Sequence, residues 1–211
     1  MIRIGLIGAG RIGTLHGRNI LQHPKAKLVA VSDAVEASAK AFGVEAGAPV
    51  RSVDEIMADA SIDAVAICSS TDTHADFIER AAKAGKAVFC EKPVDLSSER
   101  IKNCLAVVKA AGTPLMIGFN RRFDPNFGAL HKRLAAGEIG QVELVTILSR
   151  DPGPPPLAYI ERSGGLFRDM MIHDFDMARF LLGEEPVEVH AVGSSLVDPA
   201  IGKAGDVDTA A

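Results

Sequence analysis

Glu91-Lys92-Pro93 places a lysine between an acid and a proline ring, directly after the apolar run Ala87-Val88-Phe89-Cys90. A run of this kind reads as a buried strand, and in an open α/β sheet the side chains past a strand's carboxyl end face the crevice where ligands bind. Glu91 can hold the ammonium charged, and Pro93 restricts Lys92 to extended backbone. A lysine in such a cleft donates hydrogen bonds or shifts its pKa. The competing reading is a solvated lysine in a turn. A second group, Gly8-Ala9-Gly10-Arg11-Ile12-Gly13, matches G-x-G-x-x-G directly after a strand and at the mouth of a helix. Gly8 permits a tight turn, Gly10 lets the backbone approach a pyrophosphate, and Gly13 allows close helix packing. Arg11 and Ile12 open a helix whose free N–H groups meet the anion. Asp33, 20 residues beyond Gly13, ends the second strand, where a carboxylate accepts hydrogen bonds from an adenosine ribose and repels a 2′-phosphate. That favours NAD over NADP, while capping of the next helix is the other use of Asp33.

Ser69-Ser70-Thr71-Asp72-Thr73-His74 follows the strand Asp63 to Cys68, so its hydroxyls and backbone groups, Ser70 and Thr71 among them, fall on the cofactor side of the sheet. Thr73 with Asp76 also resembles a capping box. His74 stands either beside the cofactor or on the surface. Farther along, Asp169, His173 and Asp176 are spaced i, i+4 and i+7, one face of a helix, with Asp174 pointing elsewhere. A histidine beside a carboxylate suits a general base. Metal binding and a hydrated face with an Asp176/Arg179 pair are the rivals, and two or three such ligands do not define a metal site.

These residues need a scaffold, and alternating patterns supply one. Ile2 to Ile7, Lys27 to Ser32, Asp63 to Cys68, Ala87 to Cys90 and Leu115 to Gly118 read as strands. Arg11 to Leu21, Asp33 to Phe42, a short helix capped by the Ser52/Glu55 box, Thr73 to Ala84 and Ser97 to Ala111 read as helices. About six strands in a doubly wound parallel α/β sheet are expected over residues 1–120. Residues 121–211 change texture: a helix at Pro125 to Ala135, a strand at Val142 to Ser149, a proline loop, a helix at Phe167 to Leu182 and a strand at Val187 to Val192. This is an incomplete α+β domain. The chain ends where another strand begins.

Composition narrows the partners. With 23 basic and 27 acidic residues scattered along the chain, there is no basic stripe for nucleic acid or an anionic membrane. No run of 18 apolar residues occurs and the first residues enter a strand directly, so cytoplasmic residence is expected. Cys68, Cys90 and Cys104 lack ligand or disulfide spacing and read as reduced packing residues.

Four segments together resemble the Gfo/Idh/MocA oxidoreductases, over essentially all 211 residues. They are Gly8 to Gly13 with Asp33, Glu91-Lys92-Pro93, Gly118-Phe119-Asn120-Arg121-Arg122-Phe123-Asp124, and Gly164-Gly165-Leu166-Phe167-Arg168-Asp169-Met170-Met171-Ile172-His173-Asp174. The last two, with Ser149-Arg150-Asp151-Pro152, resemble the inositol-oxidising branch. The resemblance implies a Rossmann domain holding NAD, with Glu91 and Lys92 beside it, and a cis Lys92–Pro93 bond. It implies that Lys92, Asp169 and His173 are catalytic, that Arg122 and Asp151 touch a polyol, and that no metal takes part. The implied reaction is NAD-dependent oxidation of a ring secondary alcohol, myo-inositol giving the 2-keto inosose. Another cyclitol or sugar, or a silent NAD-binding fragment or regulator, is the alternative. Family members continue past the point where this chain stops and assemble as dimers or tetramers. The implied consequence is an unfinished substrate domain that keeps the nucleotide site and turns over weakly or not at all.

Overall fold

The computed structural model describes residues 1–211 except the side chain of Glu161. It divides into two compact units, Met1–Gly118 and Phe119–Ala211.

The first unit is a parallel sheet of five strands in the order β2-β1-β3-β4-β5, where β1 is Ile2–Ile7, β2 Ala26–Ser32, β3 Ala64–Ile67, β4 Ala87–Cys90 and β5 Leu115–Ile117. The expectation of about six strands is corrected to five. Helices α1 (Arg11–Gln22), α2 (Glu36–Ala46), α3 (Val53–Ala58), α4 (Thr71–Lys83) and α5 (Ser98–Ala111) connect them. The strands are short and almost wholly apolar because both faces are covered. On one face Ile67, Val88 and Cys90 pack with Ile56, Ile78, Ala81, Cys104 and Val108. On the other, Leu6, Leu28 and Val31 pack with Ala39 and Phe42. Winding reverses between β1 and β3, which opens a crevice at their carboxyl ends.

Local chemistry sets the helix ends. Ser52 and Glu55 form the expected reciprocal capping box, and Ser97 accepts the Arg100 N–H at the start of α5. α2 starts later and ends later than its pattern suggests. Gly43 lies inside it, and Gly47, with φ of +61°, ends it. α4 starts at Thr71 with Ser70 as its cap residue, so Thr73 does not cap it. Its hydroxyl instead donates to the Ser70 carbonyl. At the entry to β4, buried Lys86 donates to the carbonyls of Asp59 and Ile62, and burial lowers its pKa.

The second unit begins with a single 3-10 turn, Asn120–Phe123, and α6 (Pro125–Ala135), capped by the Asp124 carboxylate. Then come α7 (Leu157–Ser163), a π-helical turn at Leu166–Met170, α8 (Ile172–Leu182), β6 (Gly193–Ser194), α9 (Pro199–Lys203) and β7 (Thr209–Ala210). β6 and β7 pair antiparallel. Two expectations fail here. Val142 to Ser149 and Val187 to Val192 form no strand, although their apolar pattern is plain. A strand needs its backbone groups paired, and of these residues Val192 alone exchanges backbone bonds with another segment, at Ala211, so Leu144, Leu148, Val187 and Val189 stand exposed.

Candidate active site

The candidate nucleotide site lies in the first unit, at the carboxyl ends of β1, β2 and β3. Gly8 has φ of +98°, and a Cβ there would fall on the Cys68 carbonyl group. A Cβ on Gly13 would fall on the Gly8 carbonyl oxygen. Gly10 differs, because a Cβ there would meet nothing within 4 Å. Gly10 is also the cap residue of α1 and offers no side chain to the helix N–H groups, which leaves exposed Arg11 and half-buried Ile12 at an open helix mouth. α4 opens the same way: Ser70 makes no side-chain cap bond, and Thr71 is its first residue. Two uncapped helix N-termini beside β1 and β3 suit a pyrophosphate.

Asp33 closes this cradle. Its Oδ2 accepts the Ala9 N–H at 2.6 Å and its Oδ1 the Val35 N–H at 2.7 Å. The α2 cap residue is Val35, so the Asp33 carboxylate orders the glycine loop and does not cap the helix. A carboxylate accepts about four hydrogen bonds, which leaves capacity for a ribose diol. Cys68, beside Gly8, has its thiol pushed up to about 12, first by burial and then by Glu91. It stays protonated and takes no part as a nucleophile.

The lysine turn follows β4 without a gap. Its Lys92–Pro93 bond is cis. Glu91 Oε1 lies 2.6 Å from His16 Nε2 on α1, and Glu91 Oε2 accepts the Lys92 N–H at 3.3 Å. Burial pushes the Glu91 carboxyl up, but the His16 bond and the Lys92 backbone and ammonium outweigh it and hold it below the usual range. Pro93 is buried and Lys92 half-buried. His74 is buried as well, with Nδ1 2.7 Å from the Pro93 carbonyl and Nε2 3.0 Å from that of Ser69.

In the second unit Asp169, His173 and Asp176 do not share one helix. Asp169 sits in the π-helical turn, where the wider i to i+5 pitch shifts the register before α8 carries His173 onward. The Tyr159 hydroxyl on α7 donates to Asp169 Oδ2 at 3.0 Å. Asp176 is buried and gripped by the fork of Arg122, Nε to Oδ2 at 2.8 Å and Nη2 to Oδ1 at 2.6 Å, with the guanidinium 5.1 Å from the Phe180 ring centroid. The Asp176/Arg179 pair does not form, since Arg179 pairs with Glu185. Asp174 does point elsewhere, accepting from Arg121 and, at 2.5 Å, from the Ser149 hydroxyl. Asp151 is exposed in the proline loop. Among the described residues no three His, Cys, Asp or Glu side chains gather as metal ligands, and no helix is long and apolar enough to cross a membrane.

Residues 2–119 match the oxidoreductase family with an NAD-binding Rossmann fold, Gfo/Idh/MocA, and residues 127–211 match the Gfo/Idh/MocA C-terminal domain. The chain belongs to the Gfo/Idh/MocA family. It is 60% identical over 208 residues to the inositol 2-dehydrogenase of Rhizobium meliloti (strain 1021), covering 99% of this chain and 63% of that protein. A crystal structure of a myo-inositol dehydrogenase from Corynebacterium glutamicum ATCC 13032 matches with a TM-score of 0.94 and 43% identity, over 100% of this chain and 63% of that one. The scyllo-inositol dehydrogenase of Lactobacillus casei, solved with bound NAD(H) and scyllo-inositol, matches with a TM-score of 0.84 and 32% identity, over 100% and 64%. The chain thus spans somewhat less than two thirds of the length of these relatives.

Within this Gfo/Idh/MocA chain the glycine loop, Asp33, Ser70, Thr71, Glu91 and Lys92 all belong to the first unit, at the ends of neighbouring strands and the helices after them. The open space over Gly10 and the two uncapped helix ends fit a dinucleotide. Two of the expected ligand contacts have partners inside the protein. Both ring nitrogens of His74 lie against carbonyls. Arg122 turns Nε and Nη2 to Asp176. Two residues escaped the sequence reading. His16 falls on the inward side of α1, one residue before Gly17, whose own tight contact with Phe42 marks that side. Tyr159, the one tyrosine of the chain, follows a proline run that reads as loop.

Proposed function

We propose that the protein oxidises a ring secondary alcohol of a cyclic polyol with NAD⁺, and that myo-inositol, giving scyllo-inosose, is the substrate. The observation that carries this reading is the lysine turn. Lys92 emerges directly from β4 of an NAD-binding Rossmann sheet, held by Glu91 on one side and buried Pro93 on the other. A lysine so placed supplies hydrogen bonds and positive charge to an alcohol oxygen as it loses its proton.

The chemistry that NAD⁺ supplies when bound is acceptance of the hydride from the alcohol carbon. His173 takes the hydroxyl proton as general base. Asp169, steadied by the Tyr159 hydroxyl, binds and orients the alcohol. Asp33 fixes the glycine loop through the Ala9 N–H and receives the adenosine ribose. The protein's main contribution is to place the alcohol carbon for transfer and to steady charge as it develops.

A panel of myo-inositol, scyllo-inositol and aldoses, scored by NADH absorbance, tests the substrate. In a chain extended to the length of its relatives, Lys92→Ala and His173→Ala should each abolish turnover and leave NAD binding largely intact. Near-normal rates in either variant overturn the roles assigned to them. A preference for an aldose overturns the cyclitol.

A further inference from the structure

His74 is the fourth residue of α4 and is 2% exposed. Both of its ring nitrogens face carbonyl oxygens, Pro93 at 2.7 Å and Ser69 at 3.0 Å. A carbonyl only accepts, so both contacts are hydrogen bonds when each ring nitrogen carries a proton. The two carbonyls lie past the ends of adjacent strands, β3 at Ile67 and β4 at Cys90, where the sheet ladder no longer fixes them. Each opens into a segment with work to do. Ser69 leads into Ser70 and Thr71 at the uncapped mouth of α4, and its hydroxyl lies 2.7 Å from that of Thr73. Pro93 follows Lys92 directly.

We propose that His74 is a positioning residue. Held between the two carbonyls by its ring nitrogens, it sets the placement of the Lys92 turn against the loop at Ser70 and Thr71. A histidine that only filled core space would need one partner, and an apolar side chain would serve as well. This one joins the loop that receives the nucleotide to the turn that carries the alcohol-binding lysine, so it couples two parts of the site without touching either ligand. The inference rests on the reading of Lys92 given above.

Two amide variants separate the bonds. The asparagine amide nitrogen falls where Nδ1 stands and the glutamine amide nitrogen where Nε2 stands. His74→Asn therefore keeps the Pro93 bond and drops that to Ser69, and His74→Gln does the reverse. Loss of one hydrogen bond is expected to cost about fivefold. In His74→Asn it should fall mainly on the dissociation constant for NADH, read by fluorescence titration, and in His74→Gln mainly on kcat. A core-filling role predicts equal losses in both variants, or none, and either result overturns the proposal.

The ring itself gives a readout independent of turnover. Long-range ¹H–¹⁵N spectra of the wild-type protein, assigned by the signal lost in both variants, should show a His74 ring N–H protected from exchange with solvent. A ring N–H that exchanges freely removes the bridge. If the chain extended to the length of its relatives oxidises no polyol, the proposed function fails, while the ring spectrum and the NADH titration still decide the role of His74.

Discussion

His16 Nε2 lies 2.6 Å from Glu91 Oε1, so the helix that opens at the glycine loop and the turn that carries Lys92 share a hydrogen bond. The His16 ring also meets Phe89 of β4 edge-on, with centroids 4.8 Å apart. Glu91 is thus held by His16 and by the Lys92 N–H, and Gly118 leaves it room, since a Cβ there would press on its carboxylate at 3.2 Å. A movement of the nucleotide helix is felt at the lysine turn through this carboxylate.

Glu91→Gln keeps the shape and loses the charge. Charge-assisted bonds are the stronger kind, and the loss should lower stability by about 1–2 kcal/mol at pH 7 in urea unfolding. The sign with pH follows from the depressed folded pKa. The charged form's contribution is fully present above the unfolded value, roughly pH 4.3, and is lost as pH falls through the folded value. The gap between wild type and Glu91→Gln should therefore close on acidification below roughly pH 4. A gap unchanged between neutral and acid pH refutes the assignment.

Gly10 and Gly13 should separate binding from folding. A Cβ at Gly10 meets open space, so Gly10→Ala should melt like the wild type and weaken NADH binding about tenfold or more by standing where a phosphate approaches. A Cβ at Gly13 strikes the Gly8 carbonyl, so Gly13→Ala should lose about 1–3 kcal/mol of stability as well. Equal melting temperatures in the two variants would contradict this division.

Asp33→Asn removes a charge but keeps one oxygen for the Ala9 or Val35 N–H. With the anion gone, repulsion of a 2′-phosphate falls, and the ratio of NADPH to NADH affinity should rise about tenfold. Parallel fluorescence titrations check it. An unchanged ratio means that Asp33 only orders the loop.

The nucleotide unit was legible in the sequence because its signals are local and agree with one another. The glycine fingerprint, the Ser52/Glu55 box and the short apolar strands each specify the same alternation. What escaped depends on pairing across the chain. His16 with Glu91, His74 with Pro93 and Arg122 with Asp176 join residues 75, 19 and 54 positions apart, and no periodicity reveals such a partner. Asp176 shows the error this brings: its spacing from Asp169 and His173 suggests a shared face, but a π-helical turn breaks the register and Arg122 claims the carboxylate. Val142 to Ser149 errs the other way, since alternation is a property of the segment and strand formation a property of its neighbours.

Arg122→Ala should act on stability. It would leave the Asp176 carboxylate, 4% exposed, without its guanidinium, at a cost of roughly 3 kcal/mol. A calorimetric scan should show a large drop in melting temperature, and Arg122→Ala/Asp176→Ala together should lose less than the sum of the two single changes. If Arg122→Ala melts like the wild type and only raises the KM for polyol, the residue contacts substrate after all.

Asp208 gives the second unit an acid-sensitive latch. Its carboxylate accepts the N–H groups of Leu196, Val197 and Asp198, each at 2.9 Å, and the Thr209 hydroxyl. The Asp198 backbone bond is the leading cause that lowers its pKa to about 2. The folded value lies below the unfolded one, so the contribution holds at neutral pH. It declines from roughly pH 4, where the unfolded carboxyl begins to bind protons, and is gone once pH passes below the folded value of about 2. Amide shifts of residues 196–198 followed by NMR should titrate together in that low range, and Asp208→Asn should abolish the shared titration while loosening the β6–β7 pair at neutral pH. Independent midpoints at the three amides would show that Asp208 does not hold them as a unit.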